Sequence, residues 1–132
     1  MTARAAGTFT VASWAEDTSS ELDGKGKLTK ATVGYRLSGG IEGEATWDAL
    51  MFYRADGTAE YTGLQRVSGQ IAGRSGTCVM FADGSYADGT ARGTWRVIPG
   101  SGTGGLAGLS GSGTSVATSA PPGTFTFDYE LD

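Results

Sequence analysis

The residues of this chain that could move a proton concentrate on one segment. Glu42, Glu44, Thr46 and Asp48 share one face of a strand-like run, opposite Ile41, Gly43, Ala45 and Trp47. The plain reading of such a row is a solvated charged face. A bulge or register change would instead carry Glu44 inward, where a carboxyl among Trp and Met side chains has its pKa raised by desolvation and suits general acid/base work. Glu44 is therefore the first catalytic candidate, with Tyr53 as a second group able to polarise a carbonyl or pass a proton. Gln65 falls on inward parity between Tyr61 and Val67, where a neutral amide is either a satisfied core group or a ligand contact. Met51 and Met80, with Trp47, Trp95, Tyr53 and Tyr61, form either an adaptable apolar pocket or simply a core. Trp14, beside a polar stretch, is a rim lid or a packing cap.

Absences narrow the chemistry further. The chain has no His, so a triad using imidazole as base cannot be built, and zinc would have to rely on carboxylates and one thiol. The single Cys78, in Thr77-Cys-Val-Met-Phe81, reads as a small buried hydrophobe, which removes disulfides and cysteine clusters. Neither a metal nor a cofactor is expected. Gly100-x-Gly102-x-x-Gly105 matches the dinucleotide-binding pattern, but that pattern needs a following helix and an acidic residue about 20 positions on. Leu106 to Gly113 is too glycine-rich for a helix, and no Asp or Glu lies between Asp88 and Asp128. The stretch from Pro99 to Gly113 reads instead as a β-bulged corner where strands approach closely.

Charge excludes other partners. A net charge of −4 without a block of Lys or Arg gives no footprint for nucleic acid or an anionic membrane. Arg66, Arg92 and Arg96 fall on outward parity and are too few for a phosphate site. Met1 to Gly7 lacks the apolar run of a signal peptide, and no stretch approaches transmembrane length, so a cytoplasmic protein is expected.

These side chains must be positioned by strands. Three near-identical segments, Ala55-Asp-Gly-Thr58, Ala82-Asp-Gly-Ser85 and Ala87-Asp-Gly-Thr90, read as hairpin turns between alternating runs. Strands are expected near 6–14, 27–38, 40–53, 58–71, 75–83, 88–98, 108–118 and 123–131, with no convincing helical period. Residues 16–26 and Ala117 to Pro122 read as exposed loops. The last strand alternates most clearly: Phe125, Phe127, Tyr129 and Leu131 share one face. The same parity turns Ala31, Val33, Tyr35 and Leu37 inward, as well as Cys78, Met80 and Ala82, and Gly93, Trp95 and Val97. The fold expected is all-β: one domain over 1–132, an antiparallel eight-stranded β-barrel whose interior admits side chains or one small ligand, with a β-sandwich as the alternative.

Several segments carry a family resemblance. They are Gly7-Thr-Phe-Thr-Val11, Leu50-Met-Phe-Tyr-Arg54, Gly63-Leu-Gln-Arg66, Gly73-Arg-Ser-Gly76, Ala91-Arg-Gly-Thr-Trp95, the Pro99–Leu109 glycine corner and Asp128-Tyr-Glu-Leu131. Together they resemble a bacterial family of unknown function within the allene-oxide-cyclase-like barrel superfamily. The resemblance spans nearly the whole chain and implies a barrel with any chemistry inside it. Where the family pattern has Gln-His this chain has Phe81-Ala82, which implies a more apolar cavity.

Two functions follow as expectations. One is a cofactor-independent cyclase or isomerase that confines a hydrophobic polyketide- or oxylipin-like molecule, with Glu44 or Tyr53 acting on it. The other is a non-catalytic small-molecule-binding barrel. A homodimer or higher homo-oligomer is compatible with either.

Overall fold

The computed structural model describes residues 2–131. Alternating apolar residues build eight strands: β1 (Ala3–Glu21), β2 (Gly26–Gly39), β3 (Ile41–Arg54), β4 (Ala59–Ile71), β5 (Arg74–Ala87), β6 (Thr90–Val97), β7 (Ser110–Ala117) and β8 (Gly123–Glu130). Each pairs antiparallel with the next, and β8 returns to β1, so the sheet closes into a barrel in sequence order. The β1–β8 seam is short, running from Ala3↔Tyr129 to Phe9↔Gly123. Beyond Phe9, β1 keeps β2 as its ladder partner as far as Glu21↔Lys27. Among the described residues the helical content is one 3-10 turn at Gly104–Leu106, and no helix is long and apolar enough to cross a membrane.

The inward parity read from the sequence holds on β2, β4, β5, β6 and β8. Val33, Val67, Cys78, Met80 and Phe127 are all nearly or fully shielded from solvent. Three local expectations are corrected. Residues 16–21 are not loop but the distal part of β1, because their backbone pairs with β2 through Glu21. Ala82-Asp-Gly-Ser85 is not a turn but lies within β5. There Gly84 sits opposite Tyr61, and a Cβ at Gly84 would lie 2.4 Å from the Tyr61 ring, so this glycine makes room for an aromatic side chain rather than reversing the chain. The hairpin signal is real at Asp88-Gly89, where both residues take positive φ, 53° and 75°, as a tight two-residue turn requires.

The glycine-rich stretch is the third correction. It is a fold-back rather than a bulged corner between strands. After β6, Ile98 N–H donates to the Val79 carbonyl at 2.9 Å and Thr103 N–H to the Thr77 carbonyl at 2.8 Å, laying the segment along β5. The 3-10 turn then drives Leu106 and Leu109 into a cluster with Ile41, Ile71, Cys78, Val97 and Phe127. That cluster closes one end of the barrel. A second cluster of Ala31, Val33, Trp47, Ala49, Met51 and Ala82 lies nearer the other end and contains fewer large side chains.

Candidate functional site

Small residues in the second cluster leave space. A cavity of about 370 Å³ runs from a floor of Leu37, Ile41, Val67 and Met80 to a rim that includes Val11, Trp14 and Tyr86. The floor residues are buried, whereas Val11, Trp14 and Tyr86 are 52%, 51% and 43% exposed, so the cavity opens at the end opposite the Leu106 plug. Its volume lies at the lower end of the range that holds small organic ligands. Aromatic rings dominate the wall, with Trp47 against Tyr61 edge-on at 5.3 Å and Phe9 against Tyr35 at 5.7 Å. Among the described residues no Lys or Arg lines it, and Asp83 at its edge has its carboxylate hydrogen-bonded by Thr62 on the outer face.

The structure brings most of the sequence candidates together. Trp14, Trp47, Met51, Tyr53, Tyr61, Gln65, Met80 and Trp95 all line this cavity. Glu44 does not. The β3 ladders run without a register shift, so Glu44 keeps outward parity, directly opposite Arg36 on β2. It accepts a hydrogen bond from the Arg36 guanidinium at 3.2 Å, with 69% of its side chain exposed. The acid/base assignment of Glu44 is thereby corrected: its carboxylate is solvated on the exterior and cannot reach the cavity.

A register change does carry a carboxylate inward, but on β1. Between Val11 and Ser13 the β1–β2 ladder skips one residue, so Val11 faces Tyr35, Ser13 faces Gly34 and Trp14 faces Val33. Strict alternation from Val11 would turn Trp14 and Glu16 outward; the bulge at Ala12 turns both inward. Trp14 Nε1 donates to Glu16 Oε1 at 2.9 Å, and the buried Thr29 hydroxyl donates to Oε2. Burial alone would raise the Glu16 pKa. Hydrogen bonds from Thr29, Tyr53 and Trp14 and the charge of Lys27 outweigh it and hold the carboxyl below its usual range.

Tyr53 joins this group to the cavity. Its hydroxyl lies 3.3 Å from the Met51 sulfur and also hydrogen-bonds the Glu16 carboxylate. Burial, and then Glu16, push the Tyr53 pKa far up, and burial pushes Tyr35 up to about 12 and raises Tyr61. All three phenols are therefore neutral at physiological pH. Burial also pushes the Cys78 thiol up to about 11, which leaves it protonated and without nucleophilic character.

Hydrogen-bond accounting separates two kinds of polar group here. Tyr61 is satisfied, its hydroxyl donating to the Ser85 carbonyl at 3.0 Å. The indole N–H of Trp47 is buried and has no partner among the described residues. An unsatisfied buried donor costs about 1–3 kcal/mol. The Tyr35 hydroxyl and the Gln65 amide also make no side-chain hydrogen bond to another described residue. Sequence reasoning placed Tyr35 on inward parity without giving it a role. It missed Glu16 altogether, because Val11-Ala-Ser-Trp14 carries no glycine or proline to mark a bulge. Among the described residues no three His, Cys, Asp or Glu side chains are grouped to hold a metal ion.

The family model described as a protein of unknown function (DUF3224) matches residues 5–129. The fold is similar to that of a crystal structure of a DUF3224-family protein of unknown function from Shewanella oneidensis MR-1. The two share 24% identity over 100% of this chain and 98% of that one, with a TM-score of 0.85. No curated protein matches the chain.

Proposed function

Since the chain belongs to the DUF3224 family, whose description specifies no activity, we propose from its interior alone that this barrel binds an apolar small molecule. The observation that carries this reading is the aromatic-lined cavity of about 370 Å³, closed at one end and open at the other. An eight-stranded barrel can be filled by its own side chains, and here the Leu106 end is. At the open end the wall residues include Ala59, Ala82, Ala91, Gly93 and Ala117, which leave the centre unfilled. Titration with the neutral probe N-phenyl-1-naphthylamine, read by its own fluorescence and by quenching of the tryptophans, tests the reading. Saturable binding is expected, blunted in tryptophan response by Trp95→Phe and abolished by Ala91→Trp, which plugs the rim. A probe that binds wild type and Ala91→Trp alike is bound elsewhere, and the reading fails.

The second reading is a cofactor-independent cyclase or isomerase of the allene-oxide-cyclase-like kind, acting on a polyketide- or oxylipin-like molecule. The neutral phenols and the Glu16–Tyr53 hydrogen bond at the cavity support it. A phenol donating to a carbonyl oxygen stabilises charge developing there, and confinement removes orientational freedom. Tyr53 is the group for this chemistry, with Glu16 as its positioning residue. Tyr53→Phe should then lower turnover on the order of a hundredfold while leaving probe affinity unchanged. Retained turnover in Tyr53→Phe rules this reading out.

A further inference from the structure

The cavity wall contains polar groups that the protein itself does not satisfy, and their chemistry is uneven. Trp47 and Gln65 face each other across the β3–β4 ladder, and Gln65 faces Met80 on β5, so both belong to one ring of inward residues at mid-depth. Tyr35 lies on the next inward row, opposite Ala45 on β3 and Val11 on β1. Indole N–H can only donate, whereas phenol and amide can donate or accept. A guest that pairs this set must therefore offer an acceptor. Among the described residues no cationic side chain lines the cavity to compensate an anion, and Asp83 at its edge would repel one. A cationic guest meets no carboxylate in the interior either: Asp83 sits at the edge, its carboxylate bound by Thr62 on the outer face. Glu16 already accepts from Trp14, Thr29 and Tyr53 and lies near Lys27.

We infer that the molecule taken by this barrel is neutral and carries an accepting oxygen of the carbonyl class, seated at mid-depth against Tyr35, Gln65 and Trp47. The inference rests on the small-molecule reading above and gives that molecule its recognised group. A hydrocarbon of the same shape fills the same space but leaves the three groups unpaired. A carboxylate loses its hydration and meets no counter-charge.

Three matched probes test it: 2-acetylnaphthalene, its hydrocarbon counterpart 2-ethylnaphthalene, and 2-naphthoate. The ketone should bind about tenfold more tightly than the hydrocarbon, the equivalent of one well-made hydrogen bond, and the naphthoate most weakly. Tyr35→Phe and Gln65→Leu keep shape and should each erase most of the ketone's advantage over the hydrocarbon, whose own affinity holds or rises. In a ¹H–¹⁵N spectrum, the indole resonance that Trp47→Phe removes should move downfield with the ketone and not with the hydrocarbon. If Trp47→Phe does not fold, the other two substitutions and the ketone's carbonyl infrared shift decide the matter. Ketone and hydrocarbon binding equally, or naphthoate binding best, overturns the inference and leaves the cavity reading standing. If none of the three binds, the cavity reading itself falls and the inference with it.

Discussion

The indole of Trp14 donates to the carboxylate of Glu16 at 2.9 Å from two positions earlier on the same strand. Residues two apart share a face, but this face is the inner one because the ladder skips a residue at Ala12. One unpaired residue thus puts an aromatic ring at the rim of the cavity and an anion just behind it.

That anion makes stability depend on acid. The Glu16 carboxyl is held below its ordinary pKa, so its contribution to stability is present above the ordinary value and is lost as pH falls through the lowered one. Between pH 7 and about pH 3 the wild-type melting temperature should fall more than that of Glu16→Gln. Asp56 and Asp128, also lowered by Thr58 and Arg4, remain in both proteins and cancel in the comparison. Parallel melting curves across this range would show that Glu16 is not paired as described.

Glu44 supplies the contrasting case. Its ion pair with Arg36 is largely exposed on both sides, at 64% and 69%. Pairs of this kind contribute about 0–1 kcal/mol. Glu44→Gln should leave the denaturation midpoint within about 0.5 kcal/mol of wild type and leave probe binding unchanged. A marked loss of either would place Glu44 in the site after all.

The glycine segment should fail by unfolding rather than by loss of a ligand. A Cβ at Gly102 would lie 2.0 Å from the Leu106 carbonyl oxygen, backbone that cannot move without releasing the plug. Gly102→Val is therefore expected to cost about 2 kcal/mol or more, and neither NAD nor ATP should raise the wild-type melting temperature. Thermal melting with and without each nucleotide checks both halves.

Leu106 is fully buried at the closed end. Leu106→Ala should cost about 2–5 kcal/mol, read as a lower urea midpoint. A cost below about 1 kcal/mol would mean that the plug is not packed as described.

Regular alternation made most of the barrel legible in the sequence. Phe125 and Phe127, or Val33 and Leu37, can face only one way once the period is two, and no bulge interrupts β3 or β4. That regularity also placed Trp47, Met51, Tyr53, Gln65, Met80 and Trp95 on one wall. It broke down where a side-chain count no longer matches a ladder count. Ala12 is an ordinary residue, and its bulge is fixed by the pairing of β1 with β2, a relation between distant segments that no local pattern records. Asp83-Gly84 failed for a related reason: a turn and an opening for the Tyr61 ring both call for a residue without Cβ. The fold-back of Pro99 to Leu109 onto β5 depends on the free carbonyls of Thr77 and Val79, which become available only after β6 has ended.

The Leu106 plug makes the barrel a cup rather than a tube. Whatever enters past Trp14 must leave past Trp14, so arrival and departure compete for one doorway and a second molecule cannot push the first out from behind. For any guest, Trp14 and its neighbours would then stand on the path of both entry and exit, whatever the floor contributes to holding it.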